Sequence, residues 1–275
     1  MSCQTQIHID IQGHRGWRGK YPENSMIGFQ KAMELGVTTL ELDIGVTKDR
    51  EIIISHEPFM SRKICLNPHG EEIPEEMDMV YNLFQMSHDS IKQFDCGTKF
   101  HPDFPKQEKV DVYKPLLSEL MTFILKENAS VKLNVEIKSK QGYYGIYTPH
   151  PKDYVALVLE EIESYNFQNR VTLQSFDINI LEEINKQAPK LQIALLVDDN
   201  EKIQAKLKAL SFLPSIISPY YELLTASNVT SLQSSGFKVI PWTVNSDEAI
   251  QIMIDFQVDG IISDHPEKVF QAIRE

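Results

Sequence analysis

The residues best equipped for chemistry begin at Gly13-His14-Arg15-Gly16, a histidine and an arginine set between two glycines. Flanking glycines let the backbone come close to a ligand. A histidine can move a proton near neutral pH, and an arginine can grip a phosphate with its two-pronged guanidinium. A second histidine stands in Ser55-His56-Glu57-Pro58; it is a proton carrier, a metal ligand or a loop-stabilising residue. Glu41 and Asp43 are two residues apart, as are Glu136 and Lys138. On a β-strand that spacing puts each pair on one face, while Leu40, Leu42 and Ile44, and likewise Leu133, Val135 and Ile137, take the other. Three carboxylates turned inward would be costly to bury bare. An all-oxygen set of this kind suits a hard cation, Mg2+ or Ca2+; the competing arrangement is a buried ion-pair network with Arg15 and Lys138. His14 and His56 beside such a cation could act as acid and base in a displacement at phosphorus.

These side chains need a frame that brings distant segments to one place. Short β-rich runs alternate with helix-like stretches along the chain. Strands are expected at Ile7–Gln12, Thr39–Val46 (with Glu51–Ser55 after a turn), Val131–Ile137, Arg170–Gln174, Leu191–Val197, Ser215–Ser218, Lys238–Thr243 and Gly260–Ser263. Helices are expected at Asn24–Leu35, Leu116–Glu127, Lys152–Tyr165, Asp177–Gln187, Glu201–Leu210, Thr225–Ser235, Ser246–Asp255 and Pro266–Ile273. Eight strand–helix units predict an α/β chain folded as a (β/α)8 TIM barrel, with the catalytic loops at the C-terminal ends of the strands. The alternative is an open doubly wound sheet, whose nucleotide-binding form would carry a GxGxxG turn that is missing here. Residues 57–114 break the rhythm. They are polar and rich in Pro and Gly, and are expected to form an insertion after the second barrel strand region, over the barrel mouth. Residues 1–275 thus read as one barrel domain with that inserted segment.

Composition narrows the partners. The chain has 275 residues, 42% hydrophobic and 24% charged, with a net charge of −12. That charge opposes long-range attraction to nucleic acid and to anionic membranes, so an anionic substrate must be held by local cations. No apolar run approaches the ~20 residues of a membrane span. The first ten residues lack the basic and apolar regions of an export signal, which makes a cytoplasmic location the default. Cys3, Cys65 and Cys96 form no CxxC pair. Cys65 and Cys96 could be bridged, but a reducing compartment favours two buried free thiols.

Several further residues have two readings each. Pro22-Glu23-Asn24 either starts a helix or brings Glu23 to the site. Gln174, on one face with Thr172, either reaches substrate or fills a polar layer. Trp242, inward and near a strand end, either stacks on a substrate or joins the core. Tyr143, Tyr144 and Tyr147 could enclose a cationic head group, but are expected to pack under the insertion.

Taken together, the segments resemble the glycerophosphodiester phosphodiesterase family. The resemblance rests on Gly13-His14-Arg15-Gly16, Pro22-Glu23-Asn24-Ser25, Glu41-Leu42-Asp43, His56 and Asn134-Val135-Glu136-Ile137-Lys138, followed by Gln174-Ser175-Phe176, Trp242-Thr243-Val244-Asn245 and Asp259-Gly260-Ile261-Ile262-Ser263-Asp264. They stand in the family's order and span nearly the whole chain outside the insertion. The resemblance implies hydrolysis of a small glycerophosphodiester to an alcohol and glycerol phosphate, using one divalent cation. It implies His14 and His56 as the catalytic pair, Glu41, Asp43 and Glu136 as metal ligands, and Arg15 and Lys138 as phosphate-binding residues. The first nucleophile would be either the glycerol 2-hydroxyl, through a cyclic phosphate, or water. A lyase that stops at the cyclic phosphate, a non-catalytic phosphoester-binding barrel and a sugar-isomerase-like barrel are the competing readings. The last does not account for a histidine–arginine pair between glycines.

Overall fold

The computed structural model describes residues 9–274, so Cys3 and the first two residues of the expected Ile7–Gln12 strand lie outside the described residues. Strand β1 (Asp10–Gly13) leads to helix α1 (Met26–Leu35), and β2 (Thr39–Val46) to a short strand β3 (Ile52–Ile54). Residues 57–114 follow, with one four-residue helix α2 (His88–Ile91), before α3 (Leu117–Lys126). Then come β4 (Lys132–Ile137), α4 (Pro151–Ser164), β5 (Val171–Ser175) and α5 (Ile178–Gln187). The chain continues through β6 (Gln192–Val197), α6 (Ile203–Leu207), β7 (Ile216–Pro219) and α7 (Ala226–Ser234). It ends with β8 (Lys238–Val239), α8 (Asp247–Asp255), β9 (Gly260–Ser263) and α9 (Pro266–Arg274).

The parallel strands run in the order β8-β7-β6-β5-β4-β2-β1-β9. The two ends of that row meet, because Asp259 N–H donates to Val239 O (2.9 Å) and Ile262 N–H to Pro241 O (3.0 Å). The eight strands therefore form a nearly closed barrel wrapped by helices, the expected TIM barrel. β3 is no barrel stave. It pairs antiparallel with β2, Ile44 opposite Ile54, across a turn where Arg50 adopts φ 65°. The expected helix from Asn24 starts two residues later. Asn24 is left-handed (φ 53°), and Ser25 caps α1 by accepting the Gly28 N–H. Gly36, at φ 98°, ends it. The expected helix Glu201–Leu210 is shorter, as α6.

The main core fills the space between the strands' outer faces and the helices, with Leu40, Leu42, Ile44, Leu133, Val135 and Ile137 all at or below 1% exposure. Burial on this scale, at roughly 1.5–3 kcal/mol per large apolar side chain, is what holds the carboxylate-bearing strands together. Residues 57–114 build a second, smaller cluster around Met60, Cys65, Leu83, Ile91, Phe94 and Cys96, which packs on Ile53 and Leu116. Here one expectation is corrected. Cys65 and Cys96 are joined in a disulfide, not free. The antiparallel pairing of Leu66 with Asp95 lays the two cysteine backbones side by side, with Cα atoms 3.9 Å apart. As expected, the tyrosine loop packs on this segment: Tyr147 meets Phe59 edge-on, and Asn82 Nδ2 donates to Ile146 O (2.7 Å). No helix among the described residues is long and apolar enough to cross a membrane.

Candidate active site

The charged side chains at the barrel mouth come mainly from the ends of β1, β2 and β4, with Asp264 added after β9. The turn after β1 is built around its glycines. A Cβ on Gly13 would lie 2.1 Å from Gly16 O, and Gly16 has φ 89°. That tight turn aims His14 and Arg15 at the barrel axis. His14 N–H donates to Ser263 O (2.9 Å), and its ring Nδ1 lies 2.7 Å from Asp264 Oδ1. With Nδ1 carrying a proton toward that carboxylate, Nε2 is left to accept on the other side; it stands 3.9 Å from Glu41 Oε2.

β2 and β4 run in register, Glu41 opposite Asn134 and Asp43 opposite Glu136. Oxygens of Glu41, Asp43 and Glu136 come within 4.8 Å of one another, all buried. Arg15 binds Glu23 (Nη1–Oε1 2.9 Å) and lies 3.2 Å from Asp43 through Nε. Lys138 pairs with Glu136 at 2.8 Å and stands 3.8 Å from Asp43. Glu41 has no such partner. It accepts only from the Arg15 backbone N–H (3.0 Å) and Gln174 Nε2 (2.9 Å). The ion-pair network read from the sequence is thus present but incomplete. Two cations, Arg15 and Lys138, face four carboxylates, Glu23 included, while Arg18 is committed to Asp264 through two hydrogen bonds (2.7 and 3.0 Å). The buried trio, paired with no cation but Arg15 and Lys138, is left net negative, a charge that a cation would offset.

Protonation tendencies agree. Burial, with repulsion from Asp43 and Glu136, pushes the Glu41 carboxyl well above its usual range. Burial raises Glu136 to about 7, against Lys138, with Asp43 adding to the rise. Burial would raise Asp43 too, but Arg15, His56, Lys138 and the Asn24 amide hold it far below the usual carboxylate range. Burial, reinforced by Arg18 and Arg15 and only partly opposed by Asp264, lowers His14 to about 4. Burial, then Arg15 and Lys138, also lowers His56. Both rings are therefore biased toward the neutral form, in which each can accept a proton.

A cavity of about 460 Å3 connects these groups. His14, Arg15, Glu41, His56, Glu136, Lys138, Gln174 and Trp242 all line it. Asp43 does not; it lies 1% exposed beneath them, between Arg15 and Lys138. His56 sits at the more open side, its side chain 27% exposed, with Nδ1 2.8 Å from Glu57 Oε1. Glu23 belongs to the site and not merely to a helix start. Gln174 closes a polar layer with Asn134 and Gln12, as one of its readings had it, and also lines the cavity. Trp242 also joins the cavity, its Nε1 donating to Ser218 O (2.9 Å) and its ring edge-on to Phe176 and Tyr220. None of the three loop tyrosines lines it.

Sequence reading assigned no role to Asp264, Arg18, Asn245 or Lys114, and read Asn24 only as part of a helix start. Asp264 orients His14 and Arg18 and is itself held by Asn245 Nδ2 (2.7 Å). Asn24 clamps Asp43 from Nδ2 (2.9 Å). Lys114 is a 5% exposed lysine whose charge is felt by Glu23, Glu57 and Asp43, and burial lowers its pKa. The available signal was position: Asp264 directly follows the last strand, as His14 follows the first. The inserted segment also helps to set the site. Gln107 Nε2 donates to Arg18 O (2.8 Å), Glu108 N–H to Lys20 O (2.8 Å), and Phe104 lies under the Arg18 guanidinium at 4.8 Å.

Residues 14–268 match the glycerophosphoryl diester phosphodiesterase family. A glycerophosphodiester phosphodiesterase of Caldanaerobacter subterraneus subsp. tengcongensis is 30% identical over 96% of this chain and 98% of its own. A Silicibacter pomeroyi protein, described as a candidate glycerophosphoryl diester phosphodiesterase, superposes with a TM-score of 0.86 at 26% identity, covering 97% of this chain and 93% of its own. An Oleispira antarctica phosphodiesterase, captured with the product sn-glycerol-3-phosphate, superposes with a TM-score of 0.76 at 20% identity over 96% of each chain.

Proposed function

This chain belongs to the glycerophosphoryl diester phosphodiesterase family and is a phosphodiesterase, and from that premise we propose that it hydrolyses small glycerophosphodiesters with one divalent cation. Glycerol phosphate and the head-group alcohol are the products. The observation that carries the reading is a single cavity lined by both histidines and by Glu41 and Glu136, with Asp43 completing the carboxylate trio beneath them.

Glu41, Asp43 and Glu136 would hold the cation. Their all-oxygen donor set, burial and unmatched negative charge fit a hard ion, Mg2+ or Ca2+. Such a cation, when bound, screens the phosphate's charge and makes an oxygen nucleophile easier to deprotonate. Arg15 and Lys138 orient the phosphodiester, with Arg15 fixed by Glu23 so that it need not be ordered on binding. His14, its tautomer set by Asp264, takes the proton of the attacking hydroxyl or water on Nε2, by the logic of an acid-oriented histidine. His56, on the open side where it can take a proton from solvent, and with Glu57 beside it to offset the charge, is protonated before reaction and gives that proton to the departing alkoxide. With water as nucleophile, one P–O bond forms and one breaks, and the two histidines exchange charge states; with the 2-hydroxyl, the same exchange leaves a cyclic phosphate, which water opens in a second displacement with the histidine roles reversed. Gln174 holds Glu41 in place, and Trp242 offers an apolar face to the glycerol carbons. The acidic chain surface is consistent with a small soluble substrate and not with a nucleic acid.

The test is incubation with glycerophosphocholine, glycerophosphoethanolamine and glycerophosphoinositol in Mg2+ or Ca2+, then with excess chelator, following release of glycerol phosphate. Turnover that survives chelation removes the cation from the proposal. A cyclic phosphate accumulating as end product replaces hydrolysis with the lyase reading, and no turnover of all three moves the proposal to another phosphodiester.

A further inference from the structure

A second cavity is larger than the catalytic one. It measures about 840 Å3 and opens at the opposite, N-terminal end of the barrel. Conventional barrel chemistry does not use this end. The register explains what lines it. Lys132 lies opposite the inward-facing Thr39, and Gln192 opposite Thr172. Stepping two residues back along β5 and β6 then gives Arg170 and Lys190 on the same inward side. With Lys238 at the start of β8, four cations line one cavity.

None of the four takes part in an ion pair among the described residues. That is unexpected in a chain of net charge −12, the more so because two carboxylates line the same cavity. Asp10 and Asp259 are occupied by neutral donors instead. Asp10 accepts from the hydroxyls of Thr38 (2.5 Å) and Thr39 (2.7 Å) and from Gln12 Nε2 (2.9 Å). Asp259 accepts from the Val239 N–H (2.8 Å) and Gln233 Nε2 (3.0 Å). Arg170 is anchored through Nη2 to the carbonyls of Ala129 and Val131 (both 2.6 Å), and its buried Nε has no partner. A group of like charges gathered in one concavity makes a positive field that attracts a counter-anion. The volume falls in the range of small-molecule sites, roughly 300–1,000 Å3, and is too large for a single monovalent ion. Gln192, whose amide oxygen accepts from the Thr172 hydroxyl (3.3 Å), adds a neutral amide donor beside the charges.

We propose that the floor of the barrel is a second anion site, separate from the catalytic mouth, which binds a small molecule carrying two or more phosphoryl groups. Inorganic pyrophosphate is the probe. Its binding is followed calorimetrically at low salt on the wild-type protein, on Lys132→Gln/Lys238→Gln and on the charge-retaining Lys132→Arg/Lys238→Arg. The Gln pair is expected to weaken binding by about ten-fold or more, and the Arg pair by less than about three-fold. Turnover of a glycerophosphodiester stays unchanged in both, which also reports an intact fold. Binding by the Gln pair as tight as in the wild type assigns the pyrophosphate to the mouth and overturns the proposal. So does the absence of binding to the wild type. Should the Gln pair not fold, Lys190→Gln, at an exposed position, carries the same expectation with about half the effect on the binding free energy.

Discussion

The barrel interior is divided into two unlike halves. Along β1, β2, β4 and β5 the inward residues are polar: Gln12, Thr39, Glu41, Asp43, Asn134, Glu136 and Gln174, all at or below 7% exposure. Along β6 to β9 they are mostly apolar: Ala194, Ile216, Ile240 and Ile262 form one small cluster with Trp242 packed on it. The first half is held by hydrogen bonds and ion pairs that are costly to leave incomplete. The second is held by contact area, which tolerates loss more gradually. The cavity at the mouth is lined from both, with Glu41, Glu136 and Lys138 on one side and Leu196, Ile262 and Trp242 on the other. A polar half that handles charge and protons, facing an apolar half that handles carbon, matches a substrate with a phosphate and a glycerol backbone.

The largest effects should come from the polar half. His14→Ala is expected to lower kcat by about 10^4-fold with a modest change in KM, since it removes a group used only during proton transfer. Asp264→Asn keeps the shape but loses the charge that fixes the His14 tautomer and binds Arg18. A fall of about 10^2- to 10^3-fold in kcat is expected, with circular dichroism unchanged. Steady-state kinetics on either variant checks this; full activity in His14→Ala would end the assignment of the chemistry to this half.

The two halves also differed in how readable they were. β2 and β4 are eight and six residues long, long enough for alternation to show which carboxylates face inward. That pattern, with the strand–helix rhythm, located the barrel and the carboxylate trio, while the histidines were picked out by their places just after strands and by the family resemblance. β8 has only two residues in regular pairing, so periodicity says little there, and Trp242 was left between core and site. What acts from outside any period was harder to read. Asn24 and Arg15 reach their partners from left-handed backbone, φ 53° and 51°, which non-glycine residues seldom adopt and sequence does not announce. Asp264 works through a residue 250 positions away. The Cys65–Cys96 pairing depends on how residues 57–114 fold back on themselves, and spacing alone carries no sign of it.

Removing the cation separates the halves by pH. In its absence the Glu136 carboxyl sits at about 7, above the ordinary 4.5, and Glu41 is raised in the same direction. A carboxyl whose folded-state pKa is raised is most compatible with the fold below its unfolded pKa, and stability falls as pH rises through the folded value. The chelated protein should therefore lose on the order of 2–3 kcal/mol between pH 5 and pH 8. A divalent cation should restore this at pH 8 and contribute much less at pH 5. Thermal unfolding at the two pH values, with and without cation, measures the difference. A cation-induced rise in Tm that is equal at both would mean that the trio is not where the cation acts.

The smallest expected effect tests the apolar half. Trp242 anchors its indole by the bond from Nε1 to Ser218 O (2.9 Å) and is braced edge-on by Phe176 and Tyr220, with ring centroids 5.4 and 5.8 Å away. The ring thus lines the same cavity as Glu41 and Glu136. Trp242→Ala removes apolar surface worth about 1–2 kcal/mol of contact, so KM should rise by about 5- to 30-fold while kcat stays within about three-fold. Trp242→Phe, which keeps a ring but not the bond to Ser218, should fall between. The KM–kcat split decides the matter. Uniform binding of glycerol carbon in ground and transition states raises KM alone. A kcat loss approaching that of Asp264→Asn would show that the indole positions the phosphorus as well, and the division between a charge-handling and a carbon-handling half would have to be redrawn across Trp242.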